Sequence, residues 1–164
     1  MNSPANIPRR SEHHVAPPDA LPATVAWLGC GGLLPFIALA LATVIDDHHA
    51  ALWCDALIAY GAVILSFVGA LHWGFAMTLS ELEPVRRSTS FVWSVVPALL
   101  AWPALLLSPA MATILLVAGF VAHYWQDTRL AGRARLPVWY LPLRFRLSAV
   151  ACLCLATGGF IVSR

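Results

Sequence analysis

The side chains in this sequence best suited to chemistry lie in segments that are otherwise strongly apolar. His72 follows a run of aliphatic residues, and Asp127 lies four positions after His123 in another such run. An imidazole and a carboxylate four residues apart share one face of a helix, where the carboxylate can fix the imidazole tautomer. Arg144, at the start of a third run, could form an ion pair with Asp127 that lies near the lipid headgroups and stays partly hydrated. These residues could carry protons or hold an anion.

The apolar segments that must position these residues are long enough to cross a lipid bilayer. The chain has 164 residues, of which 60% are hydrophobic and 11% are charged, too few polar residues to cover a water-soluble globule. A hydrocarbon layer needs about 20 apolar residues in a helix. Five runs meet or approach that length: residues 24–45, 56–79, 90–107, 110–127 and 145–162. We therefore predict an all-α integral membrane protein, with a disordered tail over residues 1–21 and a five-helix transmembrane domain over residues 22–164.

The positions of the arginines predict the orientation of this bundle. Nine of the ten basic residues precede the first helix or lie in alternate connections: Arg9, Arg10, Arg86, Arg87, Arg129, Arg133, Arg135, Arg144 and Arg146. Basic residues are retained on the cytoplasmic side, so the N-terminus should be cytoplasmic and the C-terminus periplasmic. We expect the protein in the bacterial inner membrane. In this orientation the candidate residues, including His72 and Ser94, fall in the cytoplasmic half.

The spacing of small residues predicts that the second helix lies inside the bundle. A ridge of small side chains recurs at every fourth position: Ala62, Ser66, Ala70 and Gly74. Another helix can approach such a ridge closely, and His72 would then lie on a different face. In the third helix, Pro97 and Pro103 cannot donate backbone hydrogen bonds, which predicts a kink.

A histidine inside a membrane helix can be structural or functional, and both interpretations remain open for His72. The structural one is a hydrogen bond to a backbone carbonyl of another helix; the functional one is a proton carrier or ligand-binding group. Haem held between His72 and His123 would rest on two residues alone, and we do not expect it. The outer connection, residues 46–49, has side chains of metal-binding type, but neighbours in a loop rarely converge on one ion. We predict no metal site and no cofactor.

Short motifs occur in order along four parts of the chain. They are YGAVILSF (residues 60–67), HWG (72–74), SVVP (94–97), AW (101–102), Asp127, LPVWY (136–140) and LR (143–144). Together they resemble the family named domain of unknown function 3429, over about residues 24–162. The resemblance implies a fold and no reaction, because the family has no assigned activity. Its human member is presumed mitochondrial, which makes the mitochondrial inner membrane the alternative location.

Two functions remain open for such a bundle. The sequence has no nucleophile elbow, phosphate loop, zinc-protease helix or dinucleotide fingerprint, so we favour a protein that is not an enzyme. The first function is an accessory, assembly or modulating component of a larger membrane complex, with lipid and other subunits as partners and no nucleic acid. The alternative is a site for a lipid headgroup, quinone or anionic metabolite, with or without proton coupling, lined by His72, Trp73, Ser94, Asp127, Tyr140 and Arg144.

Overall fold

The structure is a computed structural model that describes residues 21–80 and 82–164, so the predicted tail lies almost wholly outside the described residues. Five α-helices follow one another: α1 (Ala23–Ile45), α2 (Ala50–Thr78), α3 (Pro84–Ala104), α4 (Pro109–Ala131) and α5 (Tyr140–Val162). A short 3-10 turn, Asp47–His49, joins α1 to α2. The predicted all-α class is confirmed for the described part of the chain.

Several helices extend beyond the predicted apolar runs. α2 begins at Ala50 rather than at residue 56, α4 continues to Ala131, and α5 begins at Tyr140 rather than at residue 145. Hydropathy finds the apolar part of a helix, whereas backbone hydrogen bonding continues through polar residues near its ends. Half of residues 128–143, a segment that hydropathy places between two helices, therefore belongs to α4 or α5, and only residues 132–139 connect these helices.

Three segments are long and apolar enough to cross a membrane: Ala23–Ile45, Asp47–Thr78 and Tyr140–Val162. Among the described residues α3 and α4 do not reach that apolarity, because α3 begins with two arginines and three hydroxyl residues, and α4 ends with several polar ones. Every helix nevertheless exposes large apolar side chains on the outside of the bundle, such as Leu34, Phe67, Leu99, Val121 and Phe145. The apolar exterior is compatible with surrounding lipid.

α2 is the central helix of the bundle. It contacts all four other helices, which follow one another around it in the order α1, α5, α4, α3. The core contains fully buried side chains from all five helices: Phe36, Leu57, Ala104, Leu116 and Leu155. Tyr60 also links α2 to α1, because its hydroxyl donates to the Gly32 carbonyl oxygen at 2.9 Å.

The predicted ridge of small residues on α2 is buried only in its first part, where Ala62 is buried and Ser66 is half-buried. Ala70 and Gly74 are exposed, and the buried face instead contains Leu65, Val68, Gly69, His72 and Ala76. A Cβ atom on Gly69 would lie 2.9 Å from Pro97 Cγ and 3.0 Å from the Ser94 carbonyl oxygen, so the absent side chain makes room for α3. Small side chains permit close packing on either face. The proline ring opposite Gly69 decides which face is used.

We expect Gly69→Ala to destabilise the protein by about 1–3 kcal/mol, because the methyl group would push α2 and α3 apart. Gly74→Ala is the matched control, since a Cβ atom there meets nothing within 4 Å. It should leave stability unchanged or raise it by at most about 1 kcal/mol, the gain in helix propensity. Unfolding midpoints of both variants in one detergent measure the difference. Equal midpoints would contradict the packing described for Gly69.

Candidate functional site

Asp127 is the centre of a buried polar cluster formed by three helices. His72 Nε2 lies 3.0 Å from Asp127 Oδ1, and the Tyr140 hydroxyl donates to the same oxygen at 3.1 Å. Arg144 Nε donates to Asp127 Oδ2 at 3.0 Å. An ionised carboxylate only accepts hydrogen bonds, so the proton in the first contact belongs to the histidine. One negative charge thus receives three donors without access to solvent.

Helical spacing brings these side chains to one place. Tyr140 and Arg144 lie four residues apart on the buried face of α5, and His123 and Asp127 do so on α4. His72 lies on the buried face of α2, three residues after Gly69. Gly69 is the residue that packs against α3. A buried charge is costly unless it is paired and hydrogen-bonded, so these polar faces turn toward one another rather than outward.

The ion pair of Asp127 and Arg144 is more deeply buried than predicted. Asp127 has no exposed surface and Arg144 is 6% exposed, so the expectation of partial hydration near the headgroups is wrong for this structure. The reason is the greater length of α4 and α5, which places both residues a full turn inside the helix ends. His72 also has a different partner from the one that the structural interpretation predicts. Its ring contacts this carboxylate and not a backbone carbonyl.

His123 and Trp93 extend the cluster toward α3. Trp93 Nε1 donates to His123 Nδ1 at 3.3 Å, and His123 Nε2 lies 3.8 Å from Asp127 Oδ1. An indole N–H can only donate, so Nδ1 of His123 carries no proton and the neutral ring is protonated at Nε2. The spacing of His123 and Asp127 had predicted their shared face. Trp93 was missed, because no local signal shows which face of α3 turns inward.

Trp73 and Ser94 were predicted to belong to the site, but the structure does not bring them to Asp127. Trp73 is 49% exposed, and its ring packs edge-to-face against Phe91 at 4.9 Å. It follows His72 directly and therefore points about 100° away around the helix. The Ser94 hydroxyl is used locally, donating to the Phe91 carbonyl oxygen at 2.6 Å.

An apolar cavity of about 480 Å³ adjoins the cluster between α1, α2 and α5. Its walls include Leu33, Ile64, Phe67, Leu147 and Ala151, and its polar lining is Tyr140, Arg144 and Ser148. Arg144 Nη2 and Ser148 Oγ are buried and have no hydrogen-bond partner among the described residues. Buried polar atoms are rarely left unpaired, because each then loses its hydration without compensation. The cavity could therefore hold a largely apolar ligand with a polar group near these two atoms.

The outer connection between α1 and α2 is organised by Asp46. This carboxylate accepts hydrogen bonds from Trp53 Nε1 at 3.1 Å and from the His49 backbone N–H at 3.3 Å. The indole donor is the main cause that holds the pKa of Asp46 below its ordinary value, with the contacts to His49 adding to it. Asp46 thus caps the 3-10 turn.

We expect Asp127→Ala to lower the free energy of unfolding by about 3–5 kcal/mol, because it leaves the Arg144 guanidinium buried without a counter-ion. Adding Arg144→Met should restore part of the loss, since no unpaired charge then remains. Asp55→Ala removes an exposed carboxylate from α2 and should change stability by at most about 0.5 kcal/mol. Denaturant unfolding in detergent measures all three. A loss as small for Asp127 as for Asp55 would contradict the buried-charge account.

Comparison with known proteins identifies relatives by sequence, but no solved structure matches this chain. Transmembrane protein 69 of Xenopus tropicalis is 35% identical over 147 residues, which cover 87% of this chain and 55% of that protein. Transmembrane protein 69 of Mus musculus is 30% identical over 135 residues, covering 79% of this chain and 53% of that protein. The chain spans about half the length of these curated relatives. The family model described as "Protein of unknown function (DUF3429)" matches residues 21–160, and the chain belongs to this family.

Proposed function

We propose that this protein is a multi-pass membrane protein that binds an amphiphile with an anionic headgroup. The observation that carries the proposal is the apolar cavity. Its lining contains two buried polar groups without a hydrogen-bond partner among the described residues, one on Arg144 and one on Ser148. This conclusion favours the ligand-binding alternative over an accessory role. It rests on geometry within one chain and needs no second subunit.

The shape of the cavity and the chemistry of its end support an amphiphile. The lining extends along α5 from Tyr140 to Ala151, about 16 Å at the helical rise per residue, which suits a hydrocarbon tail. Arg144 uses Nε to bind Asp127 and keeps Nη2 unpaired. A guanidinium fixed in this way can bind a phosphate or carboxylate oxygen, with the Ser148 hydroxyl as a second donor. A neutral quinone could accept from the hydroxyl but would offer no anionic oxygen to the unpaired Nη2 group of Arg144.

The cluster beside the cavity favours hydrogen bonding over metal or haem binding. Atoms of His72, His123 and Asp127 that could bind a metal lie within 4.8 Å of one another. A metal on His123 Nε2 would require a proton on Nδ1, which would then oppose the Trp93 N–H donor. The two imidazole rings meet edge-to-face with centroids 5.0 Å apart, too close for a porphyrin between them. We propose that the cluster acts through protons and the Arg144 cation alone.

We further propose that all five helices cross the membrane, with the N-terminus in the cytoplasm of a bacterial cell. Polar residues within α3 and α4, such as Ser94, Thr113 and Asp127, are buried in the bundle, while apolar side chains such as Val92 and Ile114 face outward. The start of α3 and the end of α4 lie together and carry Arg86 and Arg129, which supports one basic end. The mitochondrial inner membrane is the alternative, with the same matrix-side placement of basic residues.

A docking role is the second candidate function, supported by the outward face of α2. Ala70 and Gly74 are exposed there, and no described atom would meet a Cβ atom on Gly74. Small residues on a lipid-facing surface allow another helix to approach closely. A partner subunit would use this face without occupying the cavity, so the two candidate functions are compatible.

Reporter fusions test the proposed topology. A periplasm-active reporter joined after Arg164 should be active, and the same reporter inserted after Arg87 should be inactive. A cytoplasm-active reporter should give the opposite pattern. Activity of the periplasmic reporter at both positions would contradict the three crossings proposed between them, because an odd number of crossings places the two positions on opposite sides of the membrane.

Native mass spectrometry of the gently extracted protein tests the ligand, and Ser148→Ala is the sharpest variant. The hydroxyl has no hydrogen-bond partner among the described residues, so its removal should not lower stability. Ligand retained by this variant should fall about threefold to tenfold, the loss of one hydrogen bond. Arg144→Gln should lose more, whereas Arg146→Gln, an exposed arginine on the same helix, should retain the ligand.

Retention of the same bound species by wild type, Ser148→Ala and Arg144→Gln would refute the cavity as its site. The same spectra report attached protein subunits. An adduct of protein mass that Gly74→Leu removes, and Ser148→Ala does not, would support the docking role. A wild-type spectrum with neither lipid, metabolite nor protein adducts would count against both functions.

A further inference from the structure

A second cavity, of about 450 Å³, lies where the start of α3 meets the end of α4, and arginine dominates its lining. Arg86 lines it from α3, while Arg129 and Arg133 line it from the last turn of α4 and the connection that follows. We propose that this cavity binds phosphate groups, carried either by an acidic lipid headgroup or by a soluble phosphate compound. The proposal concerns a separate site and does not depend on the ligand of the first cavity.

The charges in the lining favour an anion. Three guanidinium groups and one described carboxylate, Glu83, face this space, which leaves an excess of two positive charges. Arg86 Nε pairs with Glu83 Oε2 at 3.3 Å, but both side chains are largely exposed, and such a pair contributes little. Its terminal nitrogens therefore remain available to another acceptor. An exposed cluster of like charges repels itself, and a bound anion relieves that repulsion.

Local contacts position two of these exposed arginines beside each other. The Arg129 guanidinium lies 3.5 Å from the centre of the Trp125 ring, a cation–π contact that holds it in one position. Arg133 lies four residues further on, and its backbone N–H still donates to Leu130, so the chain continues to turn on the same side. Planar guanidinium groups on one side of a cavity match the oxygen atoms of phosphate.

The backbone of α3 adds to this preference. The first turn of a helix presents amide N–H groups that have no acceptor within the helix, and its dipole favours negative charge. Val85 and Arg86 belong to that first turn and line the cavity. The cavity thus combines guanidinium groups from two elements with the positive end of a helix. Its floor is closed by Leu82 and Leu130, which belong to a small buried apolar group.

The position of the site near the basic end of the bundle fits both sources of phosphate. A headgroup of an acidic lipid lies at this depth if the bundle crosses the membrane, and a soluble phosphate compound could enter from the aqueous side. The two cavities share no described lining residue. A substitution in the lining of one cavity can therefore weaken binding there and leave binding in the other cavity unchanged.

The test uses the full chain in phosphatidylcholine nanodiscs, with two probes. Phosphatidylglycerol is added to the discs in the first arm, and native mass spectrometry measures the number of molecules retained. Inorganic phosphate is titrated in the second arm, against chloride at equal ionic strength, with the unfolding midpoint as readout. We expect Arg133→Gln to weaken at least one response about tenfold, the effect of losing one charge-assisted hydrogen bond.

Arg135→Gln is the matched control, because it removes the same charge from the same connection without changing the described lining. It should leave both responses at wild-type strength. A response to phosphatidylglycerol alone identifies a lipid headgroup, and a response to inorganic phosphate alone identifies a soluble compound. Equal losses in Arg133→Gln and Arg135→Gln, or no response to either probe in wild type, would overturn the proposal. If Arg133→Gln fails to fold, Arg129→Gln replaces it in the same comparison.

Discussion

A carboxylate without access to solvent can remain ionised inside this bundle only because three other helical positions supply donors to it. Asp127 receives His72 from α2 and both Tyr140 and Arg144 from α5, so the contacts of one side chain fix three helices relative to one another. Removing a single donor would leave charge or hydrogen-bonding capacity uncompensated, at a cost larger than a typical apolar contact. The arrangement of α2, α4 and α5 at this end of the bundle follows from that constraint.

Steric fit makes the approach of these helices possible. Leu65 of α2 lies in the space above Gly119 of α4, where a Cβ atom would be 2.6 Å from Leu65 Cδ2. One turn further along the same buried face of α2, Gly69 accepts the ring of Pro97. Close packing of this kind brings His72 within hydrogen-bond distance of α4, and it turns Trp93 toward His123. The polar cluster and the glycine contacts therefore lie next to each other and involve the same helices.

Arg144 connects that unit to the proposed ligand site. One nitrogen of its guanidinium holds Asp127, and another lies unpaired beside the apolar cavity. A bound anion would compete for the charge that compensates Asp127, so His72 and Tyr140 would then carry more of the compensation. Binding of the proposed ligand would therefore be linked to the protonation of the cluster. The second, arginine-lined cavity lies outside this linkage, because its charges face Glu83 and not Asp127.

The sequence by itself determined the helical class, the apolar segments, the shared face of His123 and Asp127, and the family. These depend on composition and helical spacing, which are local properties of the chain. Tertiary structure alone decided that Trp93 faces inward while Trp73 faces outward, that Ala70 and Gly74 of the predicted ridge are exposed, and where the two cavities described above lie. The rotation of each helix about its axis depends on contacts between side chains far apart in sequence, such as Gly69 with Pro97. Spacing along one helix carries no information about the side chain it will meet.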